Sequence, residues 1–367
     1  MKLKTFLIVG CLGGLFTLSS CTAPTNTKDY SAHVNPFIGT GGHGHTFPGA
    51  VVPHGMIQPS PDTRIDGWDA CSGYYYADST INGFSHTHVS GTGCCDYGDV
   101  LLMPTVGKQQ YRTTDPQSKR LAYASSFSHK NEIAEPGYYS VFLDTYQVKA
   151  EISSTKRGAI HRYTFPENTE SGFIIDLDYS LQRQTNSEME IEVISDTEIC
   201  GHKKTTYWAF DQYINFYAKF SKPFSYTLVT DSITMDNGKR LPVCKALLHF
   251  NTSKDEQVLV KVGVSAVDIA GARKNVESEI PGWDFEKVRK DARTAWNEYL
   301  SKIDITTSDK EDKAIFYTAL YHTGISPNLF TDVDGRYLGM DLKVHTTDMK
   351  HPVYTIFSLW DTFRALH

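Results

Sequence analysis

The chain has 367 residues, enough for at least two domains, and its formal net charge of −6 is small for that length. Aromatic residues make up 12% of the sequence and charges of both signs are mixed, which is typical of a large globular body. These values exclude the strongly basic surface that binding to nucleic acid requires.

The first twenty residues predict a secretory signal. Lys2 and Lys4 precede an apolar run over residues 6–18, which is too short for a spanning helix. Residues 18–21, Leu-Ser-Ser-Cys, resemble the lipobox of bacterial lipoproteins, in which the cysteine is acylated after cleavage. We therefore expect a signal peptide over 1–20 and a tether over 21–30, with Cys21 as the lipid anchor on the extracytoplasmic side of a bacterial membrane, facing the periplasm or the cell surface. The alternative is an ordinary signal peptide with a chance cysteine.

Five cysteines follow the tether, and disulfides are permitted outside the cytoplasm. They are Cys71, Cys94, Cys95, Cys200 and Cys244. The odd number leaves at least one thiol unpaired within the chain. Cys71 could pair with Cys94 or Cys95, and Cys200 with Cys244, but the sequence does not decide the connectivity.

A β-rich region extends from about residue 34 to 267. Short runs of Val, Ile, Tyr, Phe and Thr alternate with turn clusters, and the Asn237-Gly238 pair suits a hairpin turn. The runs include residues 139–143, 159–165, 172–177, 214–220 and 257–264. Because no helical period separates them, we predict one antiparallel β-sandwich domain over 31–267.

The pattern then becomes helical. Apolar residues recur every three or four positions over 284–303, which predicts an amphipathic helix within a linker segment, 268–303. Ser308 and Glu311 resemble a capping box that starts a second helix, extending to about Thr323. A third helix is predicted to begin near residue 358. Since so few helices cannot close a domain, we expect 304–367 to be the start of a truncated α-helical domain.

Three segments carry candidate chemistry. Residues 38–55 hold six glycines and three histidines, which excludes a regular helix there. In segment 67–74, Trp68 and Asp69 place a flat ring beside a carboxylate, as a carbohydrate pocket requires, although a core tryptophan beside a capping aspartate is equally compatible with this spacing. Trp360, Asp361 and Thr362 repeat this chemistry, which favours one shared pocket.

Two His-x-His pairs offer a different interpretation. They are His43 with His45 and His86 with His88. Alternate residues of a strand point to the same side, so each pair could present two imidazoles to a zinc ion. No cysteine or carboxylate stands at a familiar zinc spacing, so second-shell or surface histidines are the simpler explanation.

Taken together, four segments closely resemble glycoside hydrolase family 92. They are residues 34–50, 67–74, 83–93 and 358–364, in that order, and the resemblance extends over about 34–367. The family consists of exo-acting, inverting, calcium-dependent α-mannosidases. It implies a β-sandwich packed on an (α/α)6 barrel, with the active-site cleft between the two domains and the glycine-rich stretch forming one wall.

The resemblance also assigns residues. It implies that Trp68, Asp69, Trp360, Asp361 and Thr362 contact the substrate, with His86, His88 and Arg364 in support. The catalytic acid and base and much of the calcium site are expected beyond residue 367, so none is assigned here and the metal ligands are unknown. Two departures from the family are His54, where phenylalanine is commoner, and the Cys94-Cys95 pair, which makes Cys95 the expected spare thiol.

The resemblance predicts the N-terminal portion of a lipid-anchored exo-α-mannosidase that trims mannose-rich glycans, with the fragment inactive alone. The alternatives are a non-catalytic glycan-binding β-sandwich lipoprotein and a zinc enzyme that uses the paired histidines.

Overall fold

A computed structural model describes residues 28–112, 120–183, 185–234 and 240–355. Several predicted features lie outside these ranges. They are the signal peptide, the lipidation site Cys21, the Asn237-Gly238 turn, the helix expected near 358, and the candidate residues Trp360, Asp361, Thr362 and Arg364.

The described residues form eighteen β-strands and three α-helices. The strands are β1 (Ser60–Asp62), β2 (Thr80–Ile81), β3 (Gly83–Ser85), β4 (Leu101–Val106), β5 (Ser125–Ser126), β6 (Glu132–Glu135), β7 (Tyr138–Leu143), β8 (Val148–Ser154), β9 (Gly158–Phe165), β10 (Asn168–Asp176), β11 (Thr185–Val193), β12 (Glu198–Thr206), β13 (Gln212–Phe220), β14 (Ser225–Thr234), β15 (Arg240–Thr252), β16 (Glu256–Ser265), β17 (Arg336–Leu338) and β18 (Val344–Thr346). The helices are α1 (Ile269–Glu279), α2 (Phe285–Leu300) and α3 (Lys310–Thr323).

Two large antiparallel sheets make up most of the fold, as the sequence predicts. One has the strand order β1-β3-β4-β10-β15-β14, and the other β11-β12-β13-β16-β9-β8-β7-β6. Alternate residues of β16, from Val258 to Val264, are buried in the core between the sheets, where aromatic and branched side chains of both layers meet. The prediction of a mainly β, antiparallel architecture followed by helices is therefore confirmed.

Helix α1 was not predicted. It lies on the outer face of the eight-stranded sheet, where Ala272 and Val276 pack beside Ile160 and Tyr217. The carboxylate of Asp268 caps its N-terminus by accepting a hydrogen bond from the Gly271 amide. The helix escaped detection because its few apolar residues, interrupted by glycine and polar residues, form a weak periodic pattern.

The two predicted helices are present with adjusted ends. Helix α2 buries Phe285, Val288, Ala292 and Trp296 of the predicted face together with Leu300, whereas Ile303, also predicted, lies beyond its end and is exposed. Helix α3 begins one residue later than predicted. Its N-cap is Asp309, whose carboxylate accepts from the amides of Glu311 and Asp312, so the assignment of Ser308 as the cap was wrong.

The glycine-rich stretch packs against α2 and α3. Phe47 and Val51 are buried with Trp296 and Tyr321, and the Trp296 indole N–H donates to the Val51 carbonyl at 2.5 Å. Gly49 passes so close to the start of the six-stranded sheet that a Cβ there would lie 2.4 Å from the Pro59 carbonyl oxygen. The permissive backbone thus lets this stretch fit tightly between the sandwich and the helices.

None of the helices within the described ranges has the combination of length and apolarity needed to cross a bilayer.

Candidate functional site

Trp68 is exposed at one end of the sandwich. It begins a single 3-10 turn, Trp68–Ala70, and 57% of its surface is accessible to solvent. A Cβ on Gly93 would lie 2.5 Å from the indole nitrogen of Trp68, so only glycine lets the neighbouring loop approach this ring so closely. The nitrogen edge of the indole therefore packs against the loop at Gly93, while the rest of the ring faces solvent. We call the loops around it, residues 39–46, 66–75 and 89–99, together with the hairpin tip 207–211 that bonds to Asp96, the loop face.

Asp69 and His43 form an accessible polar pair beside this indole. The His43 Nδ1 atom lies 2.6 Å from Asp69 Oδ1, and the His43 ring centroid lies 5.1 Å from that of Trp68. Both side chains remain substantially exposed. The predicted neighbours Trp68 and Asp69 thus offer an apolar ring face and a hydrogen-bonding carboxylate on the same surface.

His45 lies beneath Trp68 and has unusual surroundings. Its ring packs edge-on against the indole with centroids 4.4 Å apart, and neither ring nitrogen has a hydrogen-bond partner among the described residues. Its φ of 53° lies in the left-handed region, where non-glycine residues are uncommon. Burial lowers the pKa of His45, which favours the neutral ring.

A disulfide joins two of the loops that surround Trp68. Cys71 is bonded to Cys95, whose Cα atom lies 4.5 Å away. The expectation that Cys95 is the spare thiol was therefore wrong: Cys94 carries a free thiol instead. Cys200 and Cys244 are also free and buried. Cys200 packs beside α1 on the outer face of the eight-stranded sheet, whereas Cys244 lies in the core between the sheets, and the Cys200–Cys244 bridge is absent.

His86 and His88 lie below the loop face and are buried, with exposed fractions of 0% and 1%. The His86 Nδ1–H donates to the Val100 carbonyl, and its Nε2 lies 3.1 Å from that of His161. Burial lowers the pKa of His86 to about 4. Its polar atoms are occupied inside the fold, so His86 holds a supporting position here, and its contact with the substrate stays a prediction.

The His88 Nδ1–H donates to the Gln58 carbonyl at 2.7 Å, and its Nε2 lies 2.8 Å from Asp62. Gly73, from the Trp68 loop, lies directly on this pair, since a Cβ there would be 2.0 Å from Asp62 Oδ1. His88 therefore supports the loop from inside and does not line a pocket.

The hairpin between β12 and β13 carries aromatic residues that sequence reasoning missed. Trp208 and Phe210 are exposed at its tip. The carboxylate of Asp96 accepts hydrogen bonds from the amides of Trp208 and Ala209, both at 3.1 Å. The only signal in the sequence was the cluster of large aromatic residues, 207–210, between two strands.

Comparison with known proteins identifies the family. Residues 33–265 match the glycosyl hydrolase family 92 N-terminal domain, and residues 271–367 match the glycosyl hydrolase family 92 catalytic domain. The chain belongs to glycosyl hydrolase family 92.

Solved structures of family 92 enzymes share this fold. The chain is 36% identical to the family 92 α-mannosidase BT3965 from Bacteroides thetaiotaomicron, with a TM-score of 0.85, over 92% of this chain and 46% of that one. BT3965 has also been solved in complex with mannoimidazole. The inverting mannosidase BT2199 from the same bacterium is 27% identical, with a TM-score of 0.78, over 92% of this chain and 45% of that one.

A curated relative is also similar in sequence. The uncharacterized secreted glycosidase of Arthroderma benhamiae is 30% identical over 346 residues, which cover 86% of this chain and 44% of the relative. The chain thus spans about half the length of the family 92 proteins that it matches.

The described chain ends beside the glycine-rich stretch. Leu329 pairs with Tyr354, and the Tyr354 ring lies 6.1 Å from that of His54. These residues line a cavity of about 560 Å³ together with Tyr299 of α2. Tyr354, next to the last described residue, therefore lies against residues 52–55.

A metal site would need several donor side chains close together on this family 92 domain. Within the described ranges, no group of three or more His, Cys, Asp or Glu side chains could hold a metal ion. His43 and Asp69 provide two donors, whereas calcium takes six to eight oxygen ligands. These residues alone do not fit a calcium site, and the four histidines considered for zinc do not come together.

Proposed function

We propose that this chain is the N-terminal part of an inverting, exo-acting α-mannosidase that removes terminal mannose from mannose-rich glycans. The observation that supports this most strongly is the exposed Trp68 with the Asp69–His43 pair beside it, on a family 92 domain. The likeness to BT3965, a mannosidase that is known in complex with mannoimidazole, supports a mannoside as the substrate.

Each accessible residue has a distinct role in this proposal. The Trp68 indole stacks on the C–H face of the terminal sugar, and Asp69 accepts hydrogen bonds from its hydroxyls while His43 orients the carboxylate. Trp360, Asp361, Thr362 and Arg364 add contacts from the second domain. The match to the catalytic domain over 271–367 favours an enzyme over a glycan-binding sandwich without catalysis.

The chemistry itself is assigned to the rest of the protein. Inversion requires a general acid and a general base roughly 6.5–9.5 Å apart, so that a water molecule fits between the base and the sugar. We place both groups, and most of the calcium ligands, beyond residue 367, so the fragment alone is inactive. The signal sequence and Cys21 add a lipid anchor at an extracytoplasmic membrane surface, and the secreted relative supports an extracytoplasmic location.

The proposal is tested on the longer protein, by which we mean a chain that continues past residue 367. Its turnover of 4-nitrophenyl α-mannoside is measured with and without EDTA. We expect activity that EDTA abolishes and calcium restores, and β-mannose as the first product in a proton NMR time course. Trp68→Ala should reduce kcat/KM at least tenfold, while Trp68→Phe should retain part of the activity because it keeps a flat ring. A longer protein that binds mannosides without releasing mannose would contradict the proposal and favour the non-catalytic alternative.

A further inference from the structure

The tip of the β12–β13 hairpin exposes more aromatic surface than its own fold requires. Trp208 is 64% exposed and Phe210 79%, and the adjacent Tyr207 is also exposed. Large aromatic side chains that lie together on a surface mark a binding site more often than scattered single ones do. These rings are free to meet a ligand because they do not pack into the sandwich core.

The backbone of this tip is held in a defined conformation. Asp96 accepts from two successive amides, those of Trp208 and Ala209. The Thr206 hydroxyl donates to the Phe210 carbonyl at 2.7 Å, and the Tyr207 amide donates to the Ala209 carbonyl at 3.0 Å. The aromatic residues therefore stand on a preorganised turn, which reduces the entropy lost when a ligand orders them.

The hairpin and Trp68 belong to one connected unit. Asp96 follows Cys95, which is bonded to Cys71 in the Trp68 loop, and Gly93 touches the Trp68 indole. Asp96 lies three positions after Gly93, so their Cα atoms are at most about 11 Å apart. Residues 93–96 thus connect Trp68 to Trp208, both rings face solvent, and an oligosaccharide of several units can span the two.

We propose that Trp208 and Phe210 form a second sugar platform, which binds the units of an α-linked oligosaccharide next to the terminal mannose. This rests on the proposed function, in which Trp68 holds the terminal unit. Sugar rings present apolar C–H faces that stack on flat aromatic rings, and such contacts tolerate differences in hydroxyl pattern. The platform favours long glycans over small mannosides.

Kinetics of the longer protein separate this role from a structural one. The variants are Trp208→Ala, Phe210→Ala and Trp208→Phe, with Tyr226→Ala as a control that removes an exposed aromatic ring from edge strand β14. The substrates are methyl α-mannoside, whose leaving group is too small to reach the hairpin, and an α-mannotetraose. We expect Trp208→Ala to lower kcat/KM for the tetrasaccharide about tenfold, mainly through KM, and that for the methyl mannoside less than twofold. Trp208→Phe should retain most of the kcat/KM for the tetrasaccharide, and Tyr226→Ala should leave kcat/KM for both substrates unchanged.

Two results would overturn the platform. If kcat/KM falls equally for both substrates and the Tm is lower, the hairpin packs against the rest of the protein. If kcat/KM for the tetrasaccharide is unchanged, the rings do not bind sugar. Calorimetric titration with the same tetrasaccharide distinguishes failure of the platform from failure of the proposed function. If the protein cleaves neither substrate, the mannosidase proposal fails, while weaker tetrasaccharide binding by Trp208→Ala would still support the platform and unchanged or absent binding would reject it.

Discussion

The imidazole of His45 packs edge-on against the indole of Trp68, with ring centroids 4.4 Å apart, while His43 contacts the same indole at 5.1 Å. The first ring is buried and the second is largely exposed. Two histidines that are two residues apart thus support one tryptophan in different ways, and the difference can be measured.

The buried ring should matter more for stability. His45→Ala removes a buried ring from beneath Trp68 and leaves a cavity, so we expect it to lower the free energy of unfolding by about 2 kcal/mol. His43→Ala is the matched control, because it removes an exposed ring and an exposed contact with Asp69 worth less than about 1 kcal/mol. Urea unfolding of the chain measures both, and equal losses would show that His45 does not support the indole.

The disulfide between Cys71 and Cys95 should stabilise the loop face. It closes a loop of 24 residues, and Cys95→Ser should therefore cost about 3 kcal/mol in the free energy of unfolding. Cys94→Ser is a control one residue away, since Cys94 is free. Urea unfolding with and without a reducing agent tests this. The prediction fails if the reductant destabilises Cys95→Ser as much as the native chain, or if both serine variants lose the same stability.

Lys203 and Lys204 are neighbours on β12 with opposite environments. The Lys203 Nζ is fully buried, 2.8 Å from Asp99, and donates to the Tyr179 carbonyl. Lys204 is partly exposed and pairs with Asp211. Lys203→Met leaves the Asp99 carboxylate buried without its cation and should cost about 3 kcal/mol or more, whereas Lys204→Met should change little. Thermal unfolding of the two variants compares them, and a similar Tm for both would contradict the prediction.

The fold could be predicted from local patterns because alternation and helical periodicity are properties of short segments. The runs at 139–143 and 257–264 are parts of β7 and β16, and four of the residues predicted for the buried face of α2 are buried. Helix α1 was missed because its stability comes from packing on the sheet, beside Tyr217, and not from its own periodicity. The intrinsic helix propensity of these residues does not reveal that contact.

The candidate site was predictable only where its parts are adjacent in sequence. Trp68 and Asp69 are neighbours, and the structure places both on the surface. The contact of Asp69 with His43 joins residues 26 positions apart, and that of Asp96 with Trp208 joins residues 112 apart. His86 and His88 follow the short strand β3, but each ring meets a different buried partner. Such relationships depend on the chain's path and could not be read from spacing.

The buried imidazole of His86 should make the protein sensitive to acid. Burial lowers its pKa to about 4 from an ordinary value of 6.5, so the unfolded chain binds more protons between these values. The stability that this group contributes is therefore complete above about pH 6.5 and is lost as the pH falls toward 4. His161, whose ring lies against that of His86, has a pKa that burial also lowers, so it acts in the same direction.

Urea unfolding between pH 7 and pH 5 measures this loss, which should be about 2 kcal/mol for His86 alone. His86→Gln removes the titrating group, so its stability should be lower at pH 7 but should depend less on pH. His351→Gln is the control at an exposed position, and it should not remove the loss of stability that the native chain shows on acidification. If the His86→Gln variant loses as much stability on acidification as the native chain, the acid sensitivity arises elsewhere, because a glutamine cannot take up the proton whose binding favours unfolding.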